Sequence, residues 1–391
     1  MSYSSNSPTS YKYTTASSYP HLSHRPKILH LDLSSIAVSL AKTNKEGFKI
    51  SLGRIIPLIV NLATRSKPSS VSEIVAVFLD ALPRLTAVTK LYVKHDYSGA
   101  CCDHPLIRQS LRDIWRVFGD RLQSLQVHVI FENLELLLPT SLHLPCLELF
   151  TVQTEGLNSI AASACESIIP TTVKSHASSL RSVSFTTENA AVDPRPIFQS
   201  LQLLPCLRAI HLSFPFGPSV PSPFPAYDLL YSCRGFLEFL SLDFGTYMRE
   251  HASRSLSLFR EDWCFVDLPR LSELRIDPPI MTLRQDFIDY IHRFAPSLIS
   301  LWIKPHLVLR VHETYQLSSI FHNFLFLRNL SICIHLFCPD ILALLARTLS
   351  CLQTLTLGYL IVSPTTAGLQ FFGRELSRQV TNHLFLLTFL S

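Results

Sequence analysis

The stretch LPCLRAIHLSF at residues 204–214 decides the fold, because it has a near copy, LPCLELFTVQT, at residues 144–154. Aligning the copies gives a template of three apolar positions: the second lies three residues after the first, and the third lies two residues after the second. In the quoted stretch these positions hold Leu207, Ile210 and Leu212. The alternation of apolar and variable residues at the end of the template is typical of a β-strand with one buried face. Each copy therefore predicts one strand.

The same template recurs along the chain. Its other copies, given by their three apolar positions, are Ile28/Leu31/Leu33, Val88/Leu91/Val93, Leu122/Leu125/Val127, Leu147/Phe150/Val152, Leu180/Val183/Phe185, Leu237/Leu240/Leu242, Leu271/Leu274/Ile276, Leu298/Leu301/Ile303, Leu327/Leu330/Ile332 and Leu352/Leu355/Leu357. From Leu91 to Leu355 the middle residues of successive copies are 25 to 34 residues apart, about 29 on average, which indicates a repeat architecture. The longer gap between Leu31 and Leu91 holds one more match, Ile55/Leu58/Val60, which fits a strand or a helix equally well.

Between the copies, apolar residues recur every three or four positions, as at Ile107, Leu111, Ile114 and Phe118, which is typical of a helix with one buried face. Strands that alternate with helices imply a parallel sheet, and a unit of about 29 residues is too short to bury its own apolar face. Stacking of the units solves this problem. The predicted fold class is α/β: a solenoid of about 11–12 repeats, with a curved parallel β-sheet on the concave face and helices and irregular links on the convex face.

The L-x-x-L-x-L pattern at this spacing resembles that of leucine-rich-repeat proteins, over residues 27–391. Units introduced by LPxL phrases, such as ALPRL from Ala81 and DLPRL from Asp267, are similar to the divergent repeats of fungal F-box/leucine-rich-repeat proteins. This resemblance implies a solenoid that binds a substrate protein and an F-box that attaches it to a ubiquitin ligase. The expected function is therefore a non-enzymatic protein–protein interaction module that recognises substrates in an F-box-type ubiquitin ligase context.

Two features depart from these families. Five residues after the middle leucine, where leucine-rich repeats usually carry asparagine or cysteine, this chain has other residues, among them Asp96, Glu155, Pro215, Gly245 and His306. No F-box is detected either, since its nearest candidate, SEIVAVFLDALPRL at residues 72–85, overlaps a repeat. A ubiquitin-ligase adaptor is therefore an expected partner only if an F-box is present elsewhere. One such case would be that this chain is a fragment of a longer protein that carries the F-box.

The composition predicts a folded chain, because 47% of the residues are hydrophobic and only 16% are charged. The net charge is +5, and the basic residues are dispersed, so neither nucleic acid nor a membrane surface is an expected partner. The ten cysteines are single apart from Cys101 and Cys102, and residues 1–27 contain no export signal. A cytoplasmic or nuclear protein with reduced cysteines is therefore expected. Most cysteines, including Cys146 and Cys206 of the LPCL phrases, are expected to be buried.

The chain is predicted to contain two parts. Residues 1–26 form a tail rich in Ser, Thr, Tyr and Pro, and they are expected to be disordered because few apolar side chains are present to offset the entropy of ordering. Residues 27–391 form the leucine-rich-repeat-like solenoid.

A partner-binding surface follows from the alternation of the strands. If the template residues point inward, the residues one before, one after and three after the middle residue point to the concave face. This rule selects Phe239 among others, and the side chains proposed to bind a partner are Tyr92, Lys94, His128, His211, Asp243, Glu273, Arg275, Asp277, Trp302 and Lys304. Arg275 and Trp302 belong to consecutive units and should lie about 5 Å apart. Aromatic and arginine side chains dominate binding hot spots, although a solvated face with cross-strand ion pairs would give the same pattern.

Catalytic and metal sites have little support. CCDH at residues 101–104 lacks a second ligand pair, so a loop cap fits it better than zinc does. The chain has no G-x-S-x-G, Walker or G-x-G-x-x-G motif, and its 11 glycines do not cluster. No catalytic residue, metal or cofactor is therefore expected. The alternative that stays open is an enzyme with an unrecognised active site in an α/β fold.

Overall fold

The structure is a computed structural model, and it describes residues 27–34, 36–38, 71–96, 104–156, 159–215, 224–244, 257–278, 283–303, 307–337, 339–362 and 386–390. The predicted tail at residues 1–26 and the predicted copy at Ile55/Leu58/Val60 lie outside these residues, as do Cys101, Cys102 and Lys304.

The described part of the chain alternates between strands and helices. The strands are β1 Ile28–Asp32, β2 Lys90–His95, β3 Ser124–Ile130, β4 Leu149–Glu155, β5 Ser182–Thr187, β6 Ala209–Ser213, β7 Phe239–Asp243, β8 Glu273–Asp277, β9 Ser300–Ile303, β10 Val308–Leu309, β11 Asn329–Phe337, β12 Thr354–Val362 and β13 Leu386–Leu390. The α-helices are α1 Val71–Ala81, α2 Pro105–Phe118, α3 Leu134–Leu137, α4 Ser159–Ser175, α5 Arg195–Leu201, α6 Tyr227–Cys233, α7 Gln285–His292, α8 Val311–Ser318 and α9 Pro339–Thr348. Short 3₁₀ turns follow several of these elements. The chain therefore has the predicted α/β class.

The strands form one parallel sheet. Twelve of the described strands lie side by side in chain order, and β10 pairs with β11 outside this order. Each neighbouring pair is parallel. Parallel neighbours that follow chain order need a crossover between every two strands, and the helices and turns supply it. This arrangement is consistent with stacked units of a solenoid.

The middle residues of the template form one buried row across the sheet. Leu91 pairs with Leu125, and the same register continues strand by strand to Leu330 and Leu355. Each of these middle residues is at most 1% exposed. The row belongs to a continuous apolar cluster that also contains the inward residues of the helices. The predicted spacing is therefore confirmed from β2 to β12.

Both ends of the sheet differ from the prediction. Leu91 pairs with Leu29 instead of Leu31, so the register predicted for β1 was wrong by two residues. Strand β1 also pairs directly with β2, so no strand lies between them in the sheet. At the other end, β13 adds a strand that was not predicted, with Leu387 in register with Leu355.

Helix α2 shows how the helical segments form. Its residues Ile107, Leu111, Ile114 and Phe118 are buried, as their spacing predicts. Pro105 occupies the first turn, where its missing N–H costs no helical hydrogen bond. His104 caps the helix, because the N–H of Leu106 donates to its Nδ1 at 3.1 Å. His104, the residue of the CCDH sequence that the structure describes, therefore caps a helix.

The LPxL phrases form the turn before a strand. In the first LPCL phrase the N–H of Leu147 donates to the carbonyl of Leu144 at 3.0 Å, and both leucines are fully buried. The two residues between them point outward, so Cys146 is exposed, and Cys206 is exposed in the second phrase. The expectation that these two cysteines are buried was therefore wrong. A turn that buries its two leucines has to expose the residues at its tip.

A ladder of shared carbonyls fixes the start of each strand. The carbonyl of Thr89 accepts from Gln123 at 2.8 Å and from Ser124 at 3.1 Å. The arrangement repeats along the sheet up to Arg328, whose carbonyl accepts from Gln353 and Thr354 at 2.7 and 2.9 Å. Because one acceptor binds two successive N–H groups, the strands start level with one another.

One face of the sheet is covered and the other is open. Residues of β4 and β5 alternate between buried and half-exposed, whereas all-parallel sheets covered on both faces are usually apolar throughout. The helices pack on the buried row. The other face, called the open face below, carries the residues on either side of the middle residues, and the candidate site lies on it.

Candidate functional site

The open face carries a row of side chains one residue after the middle positions. Cross-strand register places Tyr92 on β2 in this row, His211 on β6, Arg275 on β8 and Trp302 on β9. Arg275 and Trp302 are directly paired neighbours, as predicted. Strand spacing in a sheet is about 4.8 Å, so residues in this row approach one another along the whole sheet.

Arg275 is held between two aromatic rings. Its guanidinium carbon lies 4.0 Å from the ring centre of Trp302 and 5.3 Å from that of Phe239. Arg275 Nε and Nη2 both donate to Glu273 Oε1, at 2.8 and 2.7 Å. Stacking and ion pairing together fix the arginine plane, and 38% of Trp302 stays exposed. Phe239, Glu273, Arg275 and Trp302 are called the aromatic–arginine cluster.

Three further candidates lie near this cluster. His211 Nδ1 is 2.7 Å from the hydroxyl of Ser241, which connects β6 to β7. Asp243 is partly exposed and pairs in register with Asp277. Asp277, however, is only 2% exposed, and its carbonyl accepts from the N–H of Phe244. The prediction that Asp277 is available on the surface was therefore wrong.

Tyr92 and Lys94 belong to a different cluster. Lys94 Nζ lies 2.8 Å from Asp96 Oδ2, and this hydrogen bond raises the pKa of Lys94. Burial by itself would raise the pKa of Asp96, but hydrogen bonds from Lys94 and Ser34 outweigh it, so that pKa lies below its ordinary value. The Tyr92 ring packs on that of His30 with centres 5.4 Å apart, and burial raises the pKa of Tyr92.

His128 completes this second cluster. Its Nε2 lies 2.6 Å from Glu155 Oε1, across the pair of strands β3 and β4. Tyr92, Lys94, Asp96, His128 and Glu155 are called the ion-pair cluster. The nearest strands of the two clusters, β4 and β7, are three strand spacings apart, about 14 Å at about 4.8 Å each. The predicted site residues therefore form two groups on one face.

Sequence reasoning missed some of the contacts. Phe239 was selected by the alternation rule but was not included among the binding residues, although its ring packs on Arg275. Glu155 and Asp96 were noted only as replacements for the usual asparagine, and they are the partners of His128 and Lys94. Both acids lie five residues after the middle residue of their strand, Leu91 or Phe150, so alternation along the strand could have placed them on the open face. Lys304 lies outside the described residues.

Other kinds of site find no support among the described residues. No group of three His, Cys, Asp or Glu side chains there could hold a metal ion. Burial raises the pKa of the Cys165 and Cys233 thiols to about 12, so neither is a thiolate near neutral pH. In the part of the chain that the structure covers, no helix has both the length and the apolar character to cross a bilayer.

Comparison with known proteins adds no assignment. No protein-family model matches this sequence, and no curated protein does. The function has to be argued from the geometry of the open face.

Proposed function

We propose that this chain is a non-enzymatic protein-binding module of the leucine-rich-repeat type, and that the open face of its sheet recognises a partner protein. The observation that carries the proposal is the aromatic–arginine cluster. Its tryptophan is 38% exposed and stacked on a fixed arginine, and tryptophan and arginine are among the residue types most enriched at binding hot spots. The neighbouring strands present mainly short polar side chains on the open face, so the aromatic rings of the cluster are larger than the side chains around them.

The sheet supports the repeat type. One strand per unit, all strands parallel and in chain order, with one covered and one open face, is the arrangement that the residue pattern implies for stacked leucine-rich repeats. A more specific proposal is that the module recognises substrates in an F-box-type ubiquitin ligase. Its support is the LPxL-introduced repeat pattern, and its test is whether a ligase adaptor co-purifies with the chain from cell extract.

The proposal is tested by removing the cluster. The double variant Arg275→Ala/Trp302→Ala should lose the partners that the wild-type chain captures, with a melting temperature within a few degrees of the wild type. The chain supplies a matched control: at the end of helix α6, Arg234 stacks on Tyr231 at 4.1 Å, and this tyrosine is 49% exposed. Tyr231→Ala/Arg234→Ala removes an equivalent pair outside the sheet and should keep the partners. If both double variants bind every partner as the wild type does, the open face is not the recognition site.

A further inference from the structure

The turns that lead into β8, β9, β11 and β12 lie side by side along one edge of the sheet. The carbonyl of Ser272 accepts from the N–H of Ile299 at 2.8 Å, and the carbonyl of Ile299 accepts from the N–H of Arg328 at 2.8 Å. The carbonyl of Arg328 accepts from Gln353 at 2.7 Å in the same way. Neighbouring turns are therefore about 4.8 Å apart, one strand spacing. These turns, residues 263–272, 293–299, 319–328 and 347–353, are called the turn edge.

The turn edge is basic, and most of its charge is unpaired. It contains four arginines and one acid, a formal charge of 4 − 1 = +3, in a chain that carries +5. The acid, Asp267, pairs with Arg293 at 3.0 Å. The other three arginines are exposed, and their side chains make no hydrogen bond or ion pair with any described residue: Arg270, Arg328 and Arg347. These arginines are far apart in the sequence, and only the stacking of the units brings them to one edge.

Large apolar side chains project from the same turns. Phe265, Leu325 and Phe326 are 57% to 62% exposed, and Ile299 is 39% exposed. Leu325 and Phe326 occupy the tip of their turn, where the LPCL phrases have proline and cysteine. A single exposed leucine is ordinary, but several large apolar side chains in neighbouring turns form a patch of the kind that marks an interaction surface. The turn edge is therefore both apolar and cationic.

Hydrogen bonds hold these turns in place. Arg293 Nη2 donates to the carbonyl of Phe265 at 2.8 Å, and its guanidinium carbon lies 5.3 Å from the centre of that ring. Asn323 Nδ2 lies 2.8 Å from His292 Nε2, which joins the turn before β11 to the end of helix α7. The apolar tips are thus presented by anchored turns, so little ordering is needed when they contact another surface.

We infer that the turn edge docks this protein on the surface of a membrane that contains anionic phospholipid. The three unpaired arginines lie against the phosphate and carboxylate groups of the lipid head groups, which attract basic side chains electrostatically. The apolar tips enter the boundary between the head groups and the acyl chains, where apolar burial adds to that attraction. The turn edge is separate from the open face, so this inference does not rest on the proposed function.

The combination of charge and apolar surface favours a membrane over other partners. Two copies of the turn edge repel each other, because each carries a charge of +3. A nucleic acid would pair with the arginines, but it gains by stacking on aromatic rings and not on the aliphatic side chains of Ile299 and Leu325. A protein has to offer a matching pocket for each protruding side chain, whereas a fluid head-group layer accepts such side chains wherever they lie.

The test is co-sedimentation of the full chain with vesicles of phosphatidylcholine alone or with about 30% phosphatidylserine. The chain should bind the anionic vesicles at least about tenfold more tightly than the neutral ones, and less tightly as NaCl is raised. Arg270→Gln/Arg328→Gln should weaken this binding at least about tenfold, because each basic residue near the surface contributes about fivefold. Leu325→Ser/Phe326→Ser should also weaken it at least about tenfold, through lost apolar burial.

Two control variants match these changes away from the turn edge. Arg112→Gln/Arg195→Gln removes two exposed arginines from helices α2 and α5. Val311→Ser/Tyr315→Ser removes two exposed apolar side chains from helix α8. Both controls should bind the anionic vesicles within about twofold of the wild type, because screening confines the attraction to charges near the lipid. All four double variants change exposed side chains, so melting curves should show them folded.

Equal binding to neutral and anionic vesicles would overturn the inference, as would equal losses in the edge variants and their controls. It would also fail if a fluorescent single-stranded RNA bound more tightly than the anionic vesicles, or if a dimer buried the turn edge and excluded them. Arg275→Ala/Trp302→Ala should bind the anionic vesicles like the wild type, because it leaves the turn edge intact. A loss of vesicle binding in that variant would contradict a separate membrane surface.

Discussion

The two clusters on the open face obey the same alternation rule but differ in how far their groups are satisfied. In the ion-pair cluster each acid lies against a base: Lys94 contacts Asp96 at 2.8 Å and His128 contacts Glu155 at 2.6 Å. In the aromatic–arginine cluster Glu273 contacts Arg275 in the same way, at 2.7 Å, but the large ring of Trp302 stays 38% exposed. The comparison teaches that polar residues on a face are a weak sign of function. Residues that are held in place and still have unused binding capacity are a stronger one.

The first prediction concerns a core substitution that should destabilise the sheet under both clusters. Leu240 is fully buried in β7, in the middle of the continuous row that supports the open face. Leu240→Ala should lower the free energy of unfolding by about 2–5 kcal/mol, through lost burial and the cavity left behind. Urea denaturation followed by circular dichroism measures this. Leu203→Ala, at a leucine that is 57% exposed, should change it by less than about 0.5 kcal/mol. Equal effects of the two changes would contradict the shared row.

A second change separates the clusters. Trp302→Ala should weaken binding of the captured partner at least about tenfold, because hot-spot tryptophans contribute most of the energy of an interface. Tyr92→Ala should weaken it less than about twofold, because Tyr92 is half-buried against His30 and belongs to the satisfied cluster. Titration calorimetry with the purified partner measures both. A larger loss for Tyr92→Ala would place recognition at the other end of the face.

The interior below β8 and β9 contains a polar group without a hydrogen-bond partner. The hydroxyl of Tyr290 is buried and makes no hydrogen bond to any described residue, and it packs beside the buried ring of Trp263. Burial raises the pKa of Tyr290 well above its ordinary value. Tyr290→Phe removes the unsatisfied hydroxyl and should raise the free energy of unfolding by about 1 kcal/mol. Phe287→Tyr, which adds a hydroxyl in the same interior, should lower it. Destabilisation by Tyr290→Phe would show that the hydroxyl has a partner after all.

The interior below β4 and β5 contains a polar group that is fully used. His176 is 2% exposed, accepts from the N–H of Leu144 at 2.9 Å and donates to the carbonyl of Thr172 at 2.7 Å. Burial lowers its pKa below the ordinary 6.5. Below that pH the unfolded chain therefore binds more protons than the folded one, so this contribution to stability is complete above pH 6.5 and is lost as the pH falls.

Melting curves between pH 5 and pH 8 measure this small effect. The wild type should lose stability on acidification, and His176→Gln should flatten that loss. His335→Gln, at an exposed histidine, should leave the pH dependence unchanged. An identical pH profile for the wild type and His176→Gln would contradict the buried neutral imidazole.

The sequence predicted the sheet because its signal is local and repeated. A middle residue such as Leu125 or Leu301 is flanked by apolar partners at fixed offsets in every unit, so the spacing gave the register directly. Strand β1 was misplaced because Leu29 and Leu31 are both buried and both fit an alternating strand. Only pairing with β2 decides between them. Strand β13 matches the template at Leu384, Leu387 and Phe389 and could have been found from the pattern alone.

The candidate site was predicted only in part. The register places Arg275 beside Trp302, and both were named from the sequence. The burial of Asp277 was out of reach, because alternation gives the face on which a residue lies but not what packs over the end of its strand. The division of the candidates into two groups was also missed, since alternation says which face a residue occupies but not which charges find partners on it.

Hydroxyl-radical footprinting of the complex with the captured partner tests the central claim most directly, because it reads the exposure of Trp302, Tyr92 and Tyr231 in one experiment. The account predicts that oxidation of Trp302 falls several-fold when the partner binds, while that of Tyr92 and Tyr231 is unchanged. A bound partner that leaves Trp302 as reactive as in the free chain would contradict recognition through the aromatic–arginine cluster.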